Sequence, residues 1–171
     1  MSLLTRIFGR RSQDRETLRP LWLRVVEIAR EKQWYADYGV ADTVPGRFDA
    51  ITLVLALVLL RMEREETLIE PSVRLTEIFV DDMDGQLRQS GVGDLVVGKH
   101  MGKLMKTLGG RLGALREAMP LGDEALVAVL ERNVTLSGEP EMAGLARHVR
   151  ALYDQLCACD SKALLRGDIQ R

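Results

Sequence analysis

The stretch that decides the fold is Ala50-Ile51-Thr52-Leu53-Val54-Leu55-Ala56-Leu57-Val58-Leu59-Leu60, an apolar run interrupted only by Thr52. Charged residues flank it, with Asp49 directly before the run and Arg61 directly after it. A membrane-spanning helix needs about 20 apolar residues, so this run is too short to cross a bilayer. A helix that is apolar on every face is buried on every face. We therefore predict a central core helix inside a larger helical domain.

The composition of the whole chain agrees with a helical domain. Its 171 residues suit a single domain, and the proportions of 46% hydrophobic and 29% charged residues exclude a disordered chain. Aromatic residues make up only 5%, which favours helices over a β-sandwich. The two cysteines exclude a disulfide-rich scaffold. The net charge of -1 excludes a uniformly basic nucleic-acid binder, so we expect no DNA partner.

Helical periodicity extends on both sides of the core stretch. Apolar residues recur at intervals of three or four in further segments, namely residues 18–33, 71–89, 97–118, 124–134 and 141–165. Turn residues separate these segments, and residues 34–39 are predicted to form a loop rich in aromatic side chains. No run with the two-residue period of a strand has turn residues around it that are strong enough to indicate a sheet. The predicted fold class is all-α, a single compact bundle of about six helices with irregular loops over residues 18–171.

The first 17 residues are predicted to be a separate flexible or amphipathic segment. Leu3, Leu4, Ile7 and Phe8 can share one side of a short helix, and Arg6 interrupts what would otherwise resemble a secretory signal. A transit peptide, a weak membrane-surface anchor and a frayed helix end are the alternatives, of which the frayed end is favoured. The absence of a long targeting segment favours a bacterial protein over one of the mitochondrial matrix.

Charge changes sign between two neighbouring predicted helices. Residues 61–94 hold nine acidic and four basic residues, whereas residues 98–116 hold five Lys and Arg residues and no acidic one. The two helices are predicted to face water or each other, with a basic face for anionic lipid or RNA as the alternative. Met101 and Met105 share one face of the basic helix. Flexible methionines suit ordinary core packing, which is favoured, or a surface that accepts varied apolar partners.

Two motifs resemble ligand-binding sites, but each lacks residues that such a site requires. Residues 93–99 resemble the phosphate loop G-x-x-x-x-G-K-[ST], but His100 replaces the hydroxyl residue that binds magnesium. A nucleotide-binding regulator or small enzyme that uses this loop is therefore only an alternative function. Asp81, Asp82 and Asp84 lack the further ligands of a calcium loop, which favours an ion-paired acidic face.

No catalytic, metal or cofactor site can be assembled from the other reactive residues. Cys157 and Cys159 are two positions apart in a predicted helix, so their thiols point about 200° apart and cannot share one metal. His100 and His148 have no recognisable nucleophile motif near them. We therefore expect a binding protein without catalytic residues, metal or cofactor.

Two separated blocks carry a family resemblance. The first is Trp34-Tyr35-Ala36-Asp37-Tyr38-Gly39-Val40-Ala41-Asp42-Thr43-Val44-Pro45-Gly46-Arg47-Phe48-Asp49, and the second is Asp82-Met83-Asp84-Gly85-Gln86-Leu87-Arg88-Gln89-Ser90-Gly91-Val92-Gly93-Asp94-Leu95-Val96-Val97-Gly98-Lys99. They resemble the patterns WY…GV.DT..GRFD and DMD..LRE.GVGD..VGK of the ubiquinol–cytochrome c chaperone family. The likeness covers about residues 20–135. The chain departs from the family at Val54, where histidine is frequent, and at Leu108-Gly109, where aromatic residues often precede the Gly–Arg pair.

The resemblance implies an all-helical assembly factor for the cytochrome bc-type respiratory complex. Such a chaperone binds newly made cytochrome b, a haem-carrying membrane protein, near the ribosome exit or the membrane surface, and is not an enzyme. It would be cytoplasmic and peripheral to the inner membrane, and a ribosome- or RNA-surface module is a further alternative. The candidate partner-contacting residues come from the two blocks and the basic helix: Trp34, Tyr35, Arg47, Asp49, Asp84, Asp94, Lys99, Met101, Lys103, Met105 and Lys106.

Overall fold

Eight α-helices follow one another in the part of the chain that this computed structural model describes, residues 3–89 and 94–171. Side chains are described at residues 16–86, 88–89 and 101–171. The helices are α1 (Leu3–Ala29), α2 (Lys32–Ala36), α3 (Val44–Met62), α4 (Ile69–Gln89), α5 (Asp94–Ala118), α6 (Asp123–Asn133), α7 (Met142–Ala158) and α8 (Ser161–Arg166), with 3-10 turns at Glu66–Leu68 and Met119–Leu121. An isolated antiparallel bridge pairs Val40 with Leu136, and these ranges contain no β-strand. The all-α fold class is confirmed.

The core helix α3 confirms the interpretation of the apolar stretch. Every residue from Thr52 to Met62 is buried, and helices α1, α4, α5 and α7 pack around α3. The helix begins at a capping residue, because the Thr43 hydroxyl accepts a hydrogen bond from the Gly46 amide at 3.3 Å. Pro45 lies in the first turn, where its missing amide hydrogen has no helical partner to lose. No helix within the described ranges is both long and apolar enough to span a membrane.

Three predicted segment boundaries can be compared with the described helices. The separate flexible or amphipathic segment over residues 1–17 stays a prediction, and the backbone from Leu3 onward is part of α1. The prediction of a loop over residues 34–39 is wrong at its start, because α2 ends only at Ala36. A break was predicted at residues 90–94, before a helix from about residue 97. Residues 90–93 lie outside the described part of the chain, and α5 begins earlier than predicted, at Asp94.

The last predicted helix, residues 141–165, is interrupted between α7 and α8. The helix is interrupted at Asp160 because its carboxylate accepts hydrogen bonds from the amides of Lys162 (2.9 Å) and Ala163 (3.0 Å), which caps α8. The hydrogen bond from the Ala163 amide, more than that from Lys162, lowers the pKa of the Asp160 carboxyl below its ordinary value. The local cap therefore prevailed over the continuous periodicity.

A buried arginine of the core helix stabilises the same joint. Arg61 is 5% exposed, and its Nε donates a hydrogen bond to the Leu156 carbonyl at 3.1 Å. Its Nη2 donates to the Cys159 carbonyl at 3.2 Å and to the Glu65 carboxylate at 2.6 Å. Carbonyls at the end of α7 have no intrahelical donors, so the guanidinium supplies them. Cys157 and Cys159 flank this end as free thiols.

A half-buried histidine lies between α2 and the C-terminal residues. The His148 ring centroid is 4.5 Å from that of Trp34 and 4.8 Å from that of Tyr38. Arg171 Nη2 lies 3.0 Å from His148 Nε2 and 2.5 Å from the Glu31 carboxylate. Because a guanidinium can only donate, Nε2 is the acceptor and the imidazole is neutral in this arrangement.

We expect neutral His148 to make the folded protein more sensitive to acid than its His148→Gln variant. Burial and then the charge of Arg171 lower the pKa of His148 in the folded state, although Glu31 and Asp37 oppose this. The unfolded chain protonates the imidazole at its ordinary pKa of 6.5, before the folded protein does. The histidine's contribution is therefore complete above about pH 6.5 and is lost as the pH falls through the lowered folded pKa. Denaturant unfolding between about pH 7.5 and pH 5 measures this difference, and identical pH profiles would contradict it.

Candidate functional site

The two aromatic residues that open the first block hold α2 against the end of α1. The Trp34 indole donates a hydrogen bond to the Ile28 carbonyl, and the Tyr35 hydroxyl donates one to the Ala29 carbonyl, both at 2.7 Å. Trp34 is fully buried, and burial together with the charge of Asp42 raises the pKa of half-buried Tyr35. Of these two candidate contact residues, only Tyr35 has surface to offer a partner.

Arg47 forms an ion pair within the same block. Its Nε lies 2.6 Å from the Asp42 carboxylate, and both side chains are 62% exposed. The hydrogen bond from Arg47 lowers the pKa of the Asp42 carboxyl. The preceding Gly46 packs so closely on the Ala41 carbonyl that any side chain there would collide with it. The Gly–Arg pair of the block therefore combines a packing requirement with a solvent-exposed ion pair.

Asp49 and Arg111 form a buried ion pair between α3 and α5. Asp49 is 9% exposed and Arg111 is 5% exposed. Arg111 Nη2 donates to the Asp49 carboxylate, and its Nη1 donates to the Thr52 hydroxyl and, at 3.1 Å, to the Asp49 backbone carbonyl. Thr135 donates two further hydrogen bonds to Asp49 Oδ2, from its amide at 2.8 Å and its hydroxyl at 2.6 Å. These contacts give Asp49 a structural role, since they join three segments that are far apart in the sequence.

Sequence reasoning missed Arg111 and Thr135 as members of this network. Arg111 falls in the apolar row of α5 with Leu104, Leu108 and Leu115, at spacings of three and four. An arginine in an apolar row of a helix indicates that its guanidinium meets a buried acceptor, so the sequence itself contained a signal for Arg111. Thr135 offered no local signal, because only the folded chain brings it to Asp49.

The candidate residues on α5 include the exposed apolar and basic ones. Met105 is 41% exposed, Met101 is half-buried, and Lys103 and Lys106 are exposed. Helix α5 packs against the acidic helix α4, which agrees with the expectation that the two helices face each other or water. The exposed side of α5 is thus a mixed apolar and basic surface.

The remaining candidates are less informative. Arg88 Nε lies 2.7 Å from the Asp84 carboxylate, as expected for an ion-paired acidic face. Among the side chains that the structure describes, no group of three His, Cys, Asp or Glu residues is placed to hold a metal ion. Asp94 is the first residue of α5, but its side chain, that of Lys99 and the loop motif at residues 93–99 lie outside the described side chains.

Comparison with known proteins agrees with the two sequence blocks. A sequence model of the ubiquinol–cytochrome c chaperone family matches residues 36–171. Among solved structures, the chain is similar to the crystal structure of the Cbp3 homolog from Brucella abortus. The TM-score is 0.79 and the sequence identity 33%, over 98% of this chain and 95% of that chain. No curated protein sequence matches the chain.

The fold and these similarities define the class of the protein as an all-helical chaperone. The chain belongs to the ubiquinol–cytochrome c chaperone family, and the resemblance seen in the sequence is confirmed.

Proposed function

We propose that the protein is an assembly chaperone of ubiquinol–cytochrome c reductase that binds newly made cytochrome b. The observation that carries this proposal is the family match over residues 36–171. The protein acts by binding and catalyses no reaction. It works in the cytoplasm, peripheral to the inner membrane, where the ribosome or the membrane surface is its neighbour while the client is made.

The exposed side of α5 is the surface we assign to the client. A membrane protein outside lipid exposes apolar helices, at a cost of about 25 cal/mol per Å² left in water. A chaperone surface must cover such area yet avoid self-association, which a charged rim provides. Met105 offers flexible apolar area, and Lys103 and Lys106 supply the charged rim.

Glycines on α5 support the same assignment. Gly102, Gly109 and Gly113 lie within an arc of about 40° between Met105 and the lysines, at 100° per residue. A Cβ atom at any of the three would meet no described atom within 4 Å. Glycine destabilises a helix interior by about 0.5–1 kcal/mol relative to alanine, and no neighbour among the described side chains requires it here. Small residues do let a second helix approach closely, as in membrane-protein packing.

Charge reversal at Lys103 and Lys106 should weaken client recovery. We expect the Lys103→Glu/Lys106→Glu double variant to recover cytochrome b from native membranes about fivefold less than the unaltered protein, a change of about 1 kcal/mol. The matched control is Lys32→Glu/Lys162→Glu, which reverses two exposed lysines on α2 and α8. Quantified co-purification measures the effect. Equal recovery by both double variants would remove the basic rim from the mechanism, and absence of cytochrome b from every sample would contradict the proposed function.

Alanine substitutions in the glycine row of α5, formed by Gly102, Gly109 and Gly113, should change protein stability and client binding in opposite directions. We expect Gly109→Ala/Gly113→Ala to raise the free energy of unfolding by about 1–2 kcal/mol, because alanine favours the helix. The same variant should recover less cytochrome b, since the added methyl groups keep a client helix away. Gly110→Ala is the control, because Gly110 also has open space but lies about 80° around the helix from the glycine row. If the double variant is more stable and recovers the client normally, the glycine row does not contact the client.

A further inference from the structure

A groove of about 510 Å³ lies between the C-terminal ends of α3 and α5 and the middle of α7. Leu60, Met119, Pro120 and Tyr153 give it an apolar lining. Its volume falls within the range of about 300–1,000 Å³ that is typical of ligand-binding pockets. Neither sequence block contributes to this groove, so the family motifs do not account for it.

Three arginines from three segments line the groove, and two of them have donors to spare. Arg116 is held in a bidentate ion pair, because its Nε and Nη2 bind the Glu63 carboxylate at 3.0 and 2.7 Å. Arg64 instead donates to the Cys157 sulfur at 2.9 Å. No carboxylate in the described part of the chain lies within ion-pairing distance of Arg64. Its guanidinium therefore brings to the groove a positive charge that no close ion pair neutralises, although Glu65 interacts with it at longer range.

Arg150 lines the same groove and has a donor without a hydrogen-bond partner among the described residues. Its Nε lies 2.6 Å from the Asp123 carboxylate, and its Nη1 donates to the Met119 carbonyl at 3.0 Å. Its Nη2 is buried and has no hydrogen-bond partner among the described residues. A buried donor without an acceptor is unfavourable, and a carboxylate oxygen is the acceptor that best matches a guanidinium.

We propose that this groove binds an acidic segment of a protein partner, with one carboxylate between Arg64 and Arg150 and an adjoining apolar side chain against Leu60, Met119 and Tyr153. Asp154 also lines the groove and is exposed without an ion pair among the described residues, so it disfavours a segment with several carboxylates. The inference goes beyond the proposed function. The groove begins at Arg116, which lies about 16 Å along α5 from Met105, so client and acidic segment occupy separate surfaces.

Matched peptides test the inference on the full chain. The probes are N-acetyl-Leu-Glu-Leu-amide and N-acetyl-Leu-Gln-Leu-amide, followed by amide chemical shifts of the isotope-labelled protein. We expect the glutamate peptide to shift the signals of residues 60–64 and 150–154 saturably, and the glutamine peptide to bind about fivefold more weakly. Arg64→Gln should weaken the glutamate peptide about threefold. Arg147→Gln, on the exposed side of α7, should leave its affinity unchanged.

Several results would overturn the inference. Equal affinity of the two peptides would show that the carboxylate is not recognised. Shifts confined to other parts of the chain, or no shifts at all at about 10 mM peptide, would show that the groove is not the site. The comparison of the two peptides uses the unaltered protein, so it decides the question even if a variant folds poorly. None of these results bears on cytochrome b recovery, so this inference and the proposed function fail independently.

Discussion

Replacing Arg111 with methionine should lower the free energy of unfolding by about 3–5 kcal/mol. The variant keeps a long apolar side chain but leaves the Asp49 carboxylate buried without its cation, and removing one partner of a buried pair is strongly unfavourable. In the same change the Thr52 hydroxyl loses the donor that it accepts from, and the Asp49 backbone carbonyl loses one of its donors but keeps the Thr52 hydroxyl at 3.1 Å. Denaturant unfolding followed by circular dichroism measures the loss.

Two further variants show whether the loss comes from the unpaired charge. Asp49→Asn/Arg111→Met removes both charges yet leaves an amide oxygen for the two Thr135 donors, so it should recover about 2 kcal/mol of the single variant's loss. Arg132→Met, at an exposed position of α6, should change stability by less than about 0.5 kcal/mol. A small effect of Arg111→Met, equal to that of the exposed arginine, would contradict the structural role of the ion pair.

Truncating Trp34 to alanine should lower the free energy of unfolding by about 3–5 kcal/mol. The indole is fully buried, so its removal leaves a cavity beside His148, and the Ile28 carbonyl keeps only the hydrogen bond from the Glu31 amide. Trp34→Phe retains most of the packing and loses mainly that hydrogen bond, so we expect a loss of about 1–3 kcal/mol. Unfolding in urea distinguishes the two variants.

The role of Trp34 in partner contact is tested with the milder variant. Trp34→Phe should recover cytochrome b as well as the unaltered protein does, because the ring it retains is inside the protein. Tyr35→Phe is the control, since it removes a comparable hydrogen bond, to the Ala29 carbonyl, at a half-buried position. If folded Trp34→Phe recovers much less client while Tyr35→Phe does not, Trp34 acts on the partner and the packing interpretation is wrong.

The core of the fold was predictable because the physics that decides it is local. An apolar stretch too short for a membrane and apolar all round has few solutions besides a central helix, and α3 is that helix. The interruption after α7 was less visible, because the apolar spacing of residues 141–165 continues through it. There the Asp160 cap and the Arg61 guanidinium decide the geometry, and the second acts from a helix far away in the sequence.

The candidate site likewise contains residues that local sequence identifies and residues whose role depends on distant contacts. Some residues proposed as partner contacts because of their place in a motif are buried in the core, as Trp34 and Asp49 are. A single sequence does not distinguish a motif residue that packs in the core from one that contacts a partner. The exposure of Met105 and the open space at Gly109 follow from how α5 packs, which periodicity alone does not give. The unpaired Nη2 of Arg150 could be recognised only from the positions of three segments, because Nε binds Asp123 and Nη1 binds the Met119 carbonyl.

The hydrogen bonds from Thr135 to Asp49 bear on how the chain completes its fold during synthesis. Both recognisable sequence blocks end before residue 100, yet the carboxylate in the first block acquires its last two donors only when residue 135 has left the ribosome. A fragment that ends before residue 135 contains both sequence blocks. In such a fragment the buried Asp49 carboxylate lacks the two hydrogen bonds from Thr135. The smallest autonomous unit is therefore longer than the signature by which it is recognised.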